Sequence, residues 1–403
     1  MRGHLLWLMV GLSFLGSLLI TLAWFTLDNK NVDPHRRHLQ PKGSCKNCWE
    51  DKNKVINVCS QTWKKEGKHQ KSSKVEAQPP EIKTAPQVSA SCKDCRKKIK
   101  KLLEFYVQDW KKDERDSREL RSQLSGRCNG SEKAIVTQTN TPLGTKLVYD
   151  GEKKRTHEVN QETFSTFPNE NPFSNKTWHT CSVVGNSGIM ANSSCGKSID
   201  SSQFVIRCNL PPLLDRYEKD VGVKTNLVTA NPSILWEKYG ALMGRRSMFV
   251  EKLCQYDNSL LLLPAFSFSK STAISIRALY TIEDFGSPIQ PVFLNPVYLQ
   301  SMALFWRPHG LKAPRLSTGF MMVSLALELC ENVNLYGFWP FSVHPYNFTD
   351  LTNHYYDDKK PNVNIHFMPE EFKLLVKLHS QGVLRMHLGD CKPESFSKQK
   401  ENH

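Results

Sequence analysis

The sequence predicts an α/β domain on a mostly parallel, Rossmann-like sheet, and three observations predict it. Short apolar runs recur beyond about Tyr149: CSVVGN, QFVIRCNL, TNLVTANP, SLLLLPAF, IQPVFLNP and NVNLYGFWPF. They are continuous rather than alternating, as strands covered on both faces are. Longer apolar stretches of helical character, PVYLQSMALFW and STGFMMVSLALELC, lie between some of them, the βα alternation of a parallel sheet. The stretch is also about 250 residues long, ample for one hydrophobic core.

Taken in order, the chain opens with LLWLMVGLSFLGSLLITLAWFTL, Leu5 to Leu27, which contains no charged residue. A bilayer core needs about 20 apolar residues, so the run is long enough to span. Arg2 precedes it with no acid on that side, which orients a short tail, 1–4, towards the cytoplasm and the rest towards a lumen. A cleaved signal peptide is the competing account. The run exceeds the usual h-region of roughly 7–15 residues, and no A-x-A site follows it, so an uncleaved signal anchor over 5–27 is expected.

Residues 28–131 read as a lumenal stem. KSSKVEAQPPEIKTAPQ is poor in aliphatic residues, the composition of a disordered tether. One exception is a helix expected within 96–125, where Ile99, Leu102, Leu103, Tyr106 and Trp110 fall at helical spacing. Cys45/Cys48 and Cys92/Cys95 form two C-x-x-C pairs, and in a lumen disulfides are preferred to zinc for them. The formal net charge of +15 leans on this basic stem; a solvated tether accounts for it, and no nucleic-acid partner is expected. Asn-x-Ser/Thr acceptors at Asn129, Asn175, Asn192 and Asn347, with 12 cysteines in all, fit a secretory compartment.

The candidate site lies in the domain assigned to 132–403. Val183-Val184 runs into Gly185-Asn186-Ser187-Gly188, a strand ending in a glycine-flanked turn that is neither a dinucleotide fingerprint nor a Walker loop. Gly185 and Gly188 permit positive φ or close backbone approach, and Asn186 supplies an amide. Asn209 ends the next run, before Pro211-Pro212. Ser317-Thr318-Gly319 precede an apolar helix, where hydroxyls cap and free N–H groups attract a phosphate. Each feature alone is a turn or a cap; the three together favour a nucleotide-phosphate pocket at the carboxyl ends of the strands.

Towards the C-terminus, His354 sits in NHYYDD and His366 precedes Pro369-Glu370-Glu371, the first turn of a helix over EEFKLLVKLHSQG. An imidazole suits a general base for a sugar hydroxyl, and a cationic one suits a departing phosphate. A lone histidine is more often structural, but two in one polar segment beyond a phosphate pocket raise the catalytic reading to even terms. Glu371 suits two compatible roles, orienting His366 and favouring the helix N-terminus through the dipole, and His379 reads as packing or surface.

These residues carry a resemblance. CSVVGNSGIMANSSCGKSIDSSQFVIRCNLPP resembles the large sialylmotif of the animal sialyltransferases. RLSTGFMMVSLALELCENVNLYGFWPF resembles their small motif, HYYD the third, and His366 with Glu371 the very small motif. The similarity spans roughly residues 140–391, and HFMPEEFKLLVKLHSQGVLRMHL, FWPF and NTPLGT resemble the α2,8 branch that makes di- and oligosialic acids on gangliosides or O-glycans.

The resemblance implies a GT-A-variant glycosyltransferase domain and a job for each position. Asn186 and Asn209 would bind the donor CMP-sialic acid; Ser317, Thr318 and Gly319 would meet its sugar and phosphate region. Trp339 would line the cytidine pocket, a core aromatic being its plain alternative. His354 would stabilise the departing phosphate and His366 would deprotonate the acceptor. Disulfides Cys181–Cys330 and Cys195–Cys391 are implied, with Cys208 and Cys254 free. The product would be an α2,8 linkage to the 8-hydroxyl of a terminal sialic acid on a glycolipid or glycoprotein, formed with inversion. The enzyme would be a single-pass Golgi membrane protein, and a homodimer is one assembly it allows.

No Asp-x-Asp occurs and the donor that the resemblance implies is a monophosphate, so no metal or other cofactor is expected. Polysialyltransferases resemble one another in a strongly basic stretch before the small motif; here only Arg307, Lys312 and Arg315 are firm cations, so the resemblance implies short products rather than polymer. The alternatives are a catalytically inactive glycan-binding or assembly subunit and a sialyltransferase acting on galactose or N-acetylgalactosamine. Intact His354, His366, Asn186 and Asn209 weigh against inactivity.

Overall fold

The structure, a computed structural model, describes residues 93–106, 109–313, 315–357 and 368–391. The expected anchor 5–27, both C-x-x-C pairs and His366 lie outside what is described of residues or side chains. No helix among the described residues is long and apolar enough to cross a membrane.

A short antiparallel hairpin, β1 (Lys146–Val148) with β2 (Thr156–Glu158), precedes the sheet. The six apolar runs then become β3 (Trp178–Val184), β4 (Phe204–Arg207), β5 (Leu227–Thr229), β6 (Leu260–Leu263), β7 (Gln290–Phe293) and β8 (Cys330–Tyr336). With β9 (Arg385–His387) they form a seven-stranded sheet in the order β7-β6-β5-β4-β3-β8-β9. Every neighbouring pair is parallel. All residues of β4 and β5 are buried, which is why their runs lack polar alternation.

Six helices matter below: α1 (Lys93–Leu103), α2 (Glu114–Cys128), α3 (Ser269–Asp284), α4 (Pro296–Trp306), α5 (Thr318–Leu329) and α6 (Met368–Ser380). Residues Phe320 to Leu329 of α5 are all buried, so this helix is enclosed around its whole circumference, with Ser324 and Glu328 its only polar side chains in that stretch. The single helix expected within 96–125 is two. The chain turns between them where Trp110 donates its indole N–H to the His379 carbonyl at 3.0 Å, and Asp113 then caps α2 through the Arg115 and Asp116 N–H groups. Leu120, Leu124 and Cys128 of α2 are buried in the same core as the sheet, and Arg121 donates to the Leu327 and Cys330 carbonyls. Residues 114–128 therefore pack as part of this unit.

Cys181 and Cys330 are bridged across β3 and β8, and Cys195 and Cys391 tie the C-terminal segment to the loop after β3. Cys208 is free and buried. The expectation of a free Cys254 is corrected, for Cys254 is disulfide-bonded to a partner outside the described residues. Spacing along the chain could not reveal that pairing, because it reaches beyond the domain's own motifs.

Candidate active site

The order of the sheet reverses between β3 and β8: the chain leaves β3 for β4 on one side, while β8 lies against β9 on the other. Such a reversal opens a crevice at the carboxyl ends of the strands. Here two glycine backbones meet. Gly337 has φ +70, and a Cβ on it would lie 2.4 Å from the Gly185 carbonyl oxygen; a Cβ on Gly185 would lie 2.5 Å from the Gly337 oxygen. Gly185 and Gly188 thus serve by close approach, and neither adopts the positive φ that the sequence allowed them. At Gly188 a Cβ would meet the Thr352 carbonyl oxygen at 2.4 Å, so its bare backbone admits the loop that carries His354.

The crevice holds a cavity of about 300 Å³ lined by all the described candidates, Asn186, Asn209, Ser317, Thr318, Gly319, Trp339 and His354. That volume lies at the lower end for small-ligand sites. The strand ends are linked by asparagines. Asn186 Nδ2 donates to the Cys208 carbonyl at 2.7 Å, joining the ends of β3 and β4. Asn209, in the left-handed region at φ 62, accepts the Asn231 N–H on Oδ1 at 3.0 Å, joining β4 to β5. Thr318 then donates its hydroxyl to Asn231 Oδ1 at 3.1 Å, joining β5 to α5.

These bonds decide what each amide can still offer. Asn186 Oδ1 is buried with no partner among the described residues, a cost of roughly 1–3 kcal/mol unless a ligand group donates to it. Asn209 has used its oxygen, and its Nδ2 has no partner among the described residues. Asn186 presents an acceptor and Asn209 a donor.

Ser317 caps α5, its Oγ accepting the Phe320 N–H at 3.1 Å. Glu371 of α6 accepts the Ser317 N–H at 2.7 Å and the Ser317 hydroxyl on its other oxygen. Its carboxylate thus also caps the neighbouring helix α5; it stands in the first turn of α6, as the dipole reading had it, and the reading that it orients His366 falls outside the described residues. Burial raises its pKa, opposed by the two Ser317 hydrogen bonds. Gly319 keeps the Phe338 ring close, since a Cβ there would lie 3.0 Å from it. Trp339 is both core and lining: it is buried, its indole N–H is held by the Val343 carbonyl at 2.8 Å, and its ring borders the cavity.

His354 is held from several sides. Its Nδ1 lies 2.6 Å from Asp357 Oδ2, and its ring stacks on Tyr356 at 5.0 Å and 7°. The loop is pinned to the glycine turn by the Tyr355 N–H, which donates to the Asn186 carbonyl at 3.0 Å. His379 is buried against Tyr106 and accepts the Met386 N–H, so its role is packing. Asn231, Asp357 and Asn353, whose Nδ2 lies 3.1 Å from His354 Nε2, were not singled out from the sequence. Asn231 carries the same signal as Asn186 and Asn209, an asparagine just after a buried strand, and could have been found by it.

Residues 135–383 match the family described as glycosyltransferase family 29 (sialyltransferase). The chain is 44% identical over 276 residues to human alpha-2,8-sialyltransferase 8E, covering 68% of this chain and 73% of that one. Human alpha-2,8-sialyltransferase 8F is 44% identical over 272 residues, covering 68% of each chain. The bovine alpha-N-acetylneuraminide alpha-2,8-sialyltransferase is 44% identical over 277 residues, covering 69% of this chain and 77% of that one.

Proposed function

The chain belongs to glycosyltransferase family 29, the sialyltransferases, and from that premise we propose how its cavity serves the transfer of sialic acid onto sialic acid in α2,8 linkage. The single observation that carries the reading is the convergence of Asn186, Asn209, the cap of α5 and His354 on one cavity at the reversal between β3 and β8. CMP-sialic acid is the donor. The free Asn209 Nδ2 and the first turn of α5 suit its phosphate. The orphaned Asn186 Oδ1 suits a hydroxyl or amino group, because an acceptor atom repels a phosphate oxygen. Trp339 and Phe338 offer aromatic surface for the base.

The reacting carbon carries three other substituents, a carboxylate among them, so its transition state is dissociative. The bond from that carbon to the phosphate oxygen breaks and CMP leaves with the electron pair. The acceptor's 8-hydroxyl oxygen attacks the opposite face, inverting the carbon, and its proton passes to the base. His366 is our candidate for that base. His354, its Nδ1 held by Asp357 and its Nε2 beside the Asn353 amide at 3.1 Å, meets the departing phosphate as charge develops on it. We place no metal in this step, since a monophosphate leaving group brings little charge to neutralise.

The same reading takes in the compartment. A lumenal, Golgi-anchored enzyme accords with two disulfides in the domain and with exposed sequon asparagines at 175, 192 and 347. Three firm cations before the small motif favour short products on a glycolipid or glycoprotein.

The test is the full-length chain in detergent with CMP-sialic acid and a sialylated acceptor in EDTA, with product linkage and length resolved. Transfer in chelator to give one or a few added α2,8 residues is expected. CMP binding without turnover favours the inactive glycan-binding module, and loss of transfer on chelation overturns the metal-free step.

A further inference from the structure

A second cavity, of about 570 Å³, lies beside the first and shares Asn231 and Thr318 with it. The Thr318–Asn231 hydrogen bond therefore stands as a low partition between the two. The second cavity is lined by Trp236, Phe268, Lys270 and Arg315, none of which the donor site uses.

Their chemistry points one way. Trp236 is 44% exposed and has no ring partner among the described residues, an aromatic face open to a sugar. Lys270 makes no hydrogen bond or ion pair among the described residues. Arg315 is held by the Ser267 hydroxyl at 2.9 Å, by the face of Phe268 at 5.0 Å and by Asp150 at 3.8 Å. Phe268 can take that place because Gly151 has no side chain; a Cβ there would sit 2.3 Å from the ring. The acids nearby are largely committed: Asp150 faces Arg315, and Glu152 accepts the Ser269 N–H at 3.0 Å. Glu237 is the carboxylate in the lining itself, exposed on the same helical turn as Trp236.

We propose that this second cavity seats the terminal sialic acid of the acceptor, its ring on Trp236 and its carboxylate facing Lys270 and Arg315. The proposal rests on the α2,8 reading above. The chemistry of the acceptor suits two adjoining cavities. The 8-hydroxyl lies on the exocyclic glycerol arm, so the ring can stay outside the donor cavity while the arm crosses the Thr318–Asn231 partition. An anionic sugar needs a cation where a galactose needs none, which makes Lys270 a residue that selects sialylated ends.

The experiment uses the full-length chain in detergent and two acceptors, a sialyl-terminated glycan and the same glycan with its carboxylate as a methyl ester. Wild type should prefer the free acid. In Lys270→Ala, kcat/KM for the acid should fall about tenfold, the worth of one charge-assisted contact, while the value for the ester stays within twofold. CMP affinity by calorimetry should not move. Trp236→Ala should raise KM for both acceptors alike. Equal loss on acid and ester in Lys270→Ala, or no loss on either with transfer intact, overturns the proposal and leaves the α2,8 reading standing. Wild-type transfer to a galactose-terminated acceptor but not to the sialylated one overturns both.

Discussion

Glu371 accepts both the backbone N–H of Ser317, at 2.7 Å, and the Ser317 hydroxyl, across 54 residues of sequence. The C-terminal helix α6 thus clamps the cap of α5, and the cap forms one wall of the cavity. A carboxylate that is 4% exposed is tolerated there only because two donors meet it. Glu371→Ala leaves both donors buried and unpaired and should destabilise the fold by about 2–3 kcal/mol. Glu371→Gln, whose carbonyl still accepts one of them, should cost less. Urea unfolding ranks the two, and CMP affinity should fall in the same order.

His354 is oriented by Asp357 at 2.6 Å. Its removal should act on the departing phosphate more than on the bound donor. His354→Ala should lower kcat roughly 10²- to 10³-fold, the usual worth of a preorganised donor at developing charge. CMP affinity should fall by less than tenfold. Asp357→Asn should give a smaller loss in kcat, and steady-state kinetics beside calorimetry separates the two effects.

Asn209 offers its Nδ2 to the cavity and its Oδ1 to Asn231. Asn209→Ala should weaken CMP binding about tenfold, as loss of a hydrogen bond to a charged group does. Asn186→Asp puts a carboxylate against the Cys208 carbonyl in place of the N–H that donates there. It should destabilise the fold as well as weaken binding, and thermal unfolding tells the two variants apart.

The Cys195–Cys391 bridge closes 196 residues of chain. By chain entropy its removal should cost up to about 5 kcal/mol. The Cys195→Ser, Cys391→Ser double variant leaves no unpaired thiol at this site, and its urea midpoint gives the loss.

Glu328 of α5 is buried, accepting the Gly130 N–H and the Tyr298 hydroxyl at 2.7 Å each, and desolvation raises its pKa to about 7. A carboxyl whose folded pKa is raised holds its proton longer in the native state. Its contribution is therefore intact below the unfolded value of about 4.5 and is lost as pH rises through about 7. The loss should reach no more than about 3 kcal/mol. Glu328→Gln keeps an acceptor without the ionisation, so unfolding at pH 5 and pH 8 should show wild type losing stability that the variant retains.

Much of the fold was legible because burial leaves a local trace. Strands covered on both faces carry unbroken buried runs, as β4, β5 and, after Leu260, β6 do, while β3, β7 and β8 carry polar or exposed residues near their starts and are buried towards their carboxyl ends. The helix α3 escaped notice because its buried face carries Ser271, Thr272, Ser275 and Thr281, which hides the apolar stripe. The strand β9 is only three residues long. In the site, the asparagines at the ends of β3 and β4 stood out, while Asn231, with the same placement after β5, was not singled out.

The chain's own pattern determined the parallel sheet, the polar loop ends and the histidine loop, since each depends on residues within a few positions of one another. Tertiary structure alone decided how the polar atoms are shared: that Asn186 spends its N–H on Cys208 and keeps its oxygen, that Glu371 caps a helix not its own, and that α2 joins the core. Those partners lie 22, 54 and some two hundred positions apart, the last in the reach of Arg121 to Cys330. A hydrogen bond depends on distances of a few tenths of an ångström, which only the packed strand ends can set.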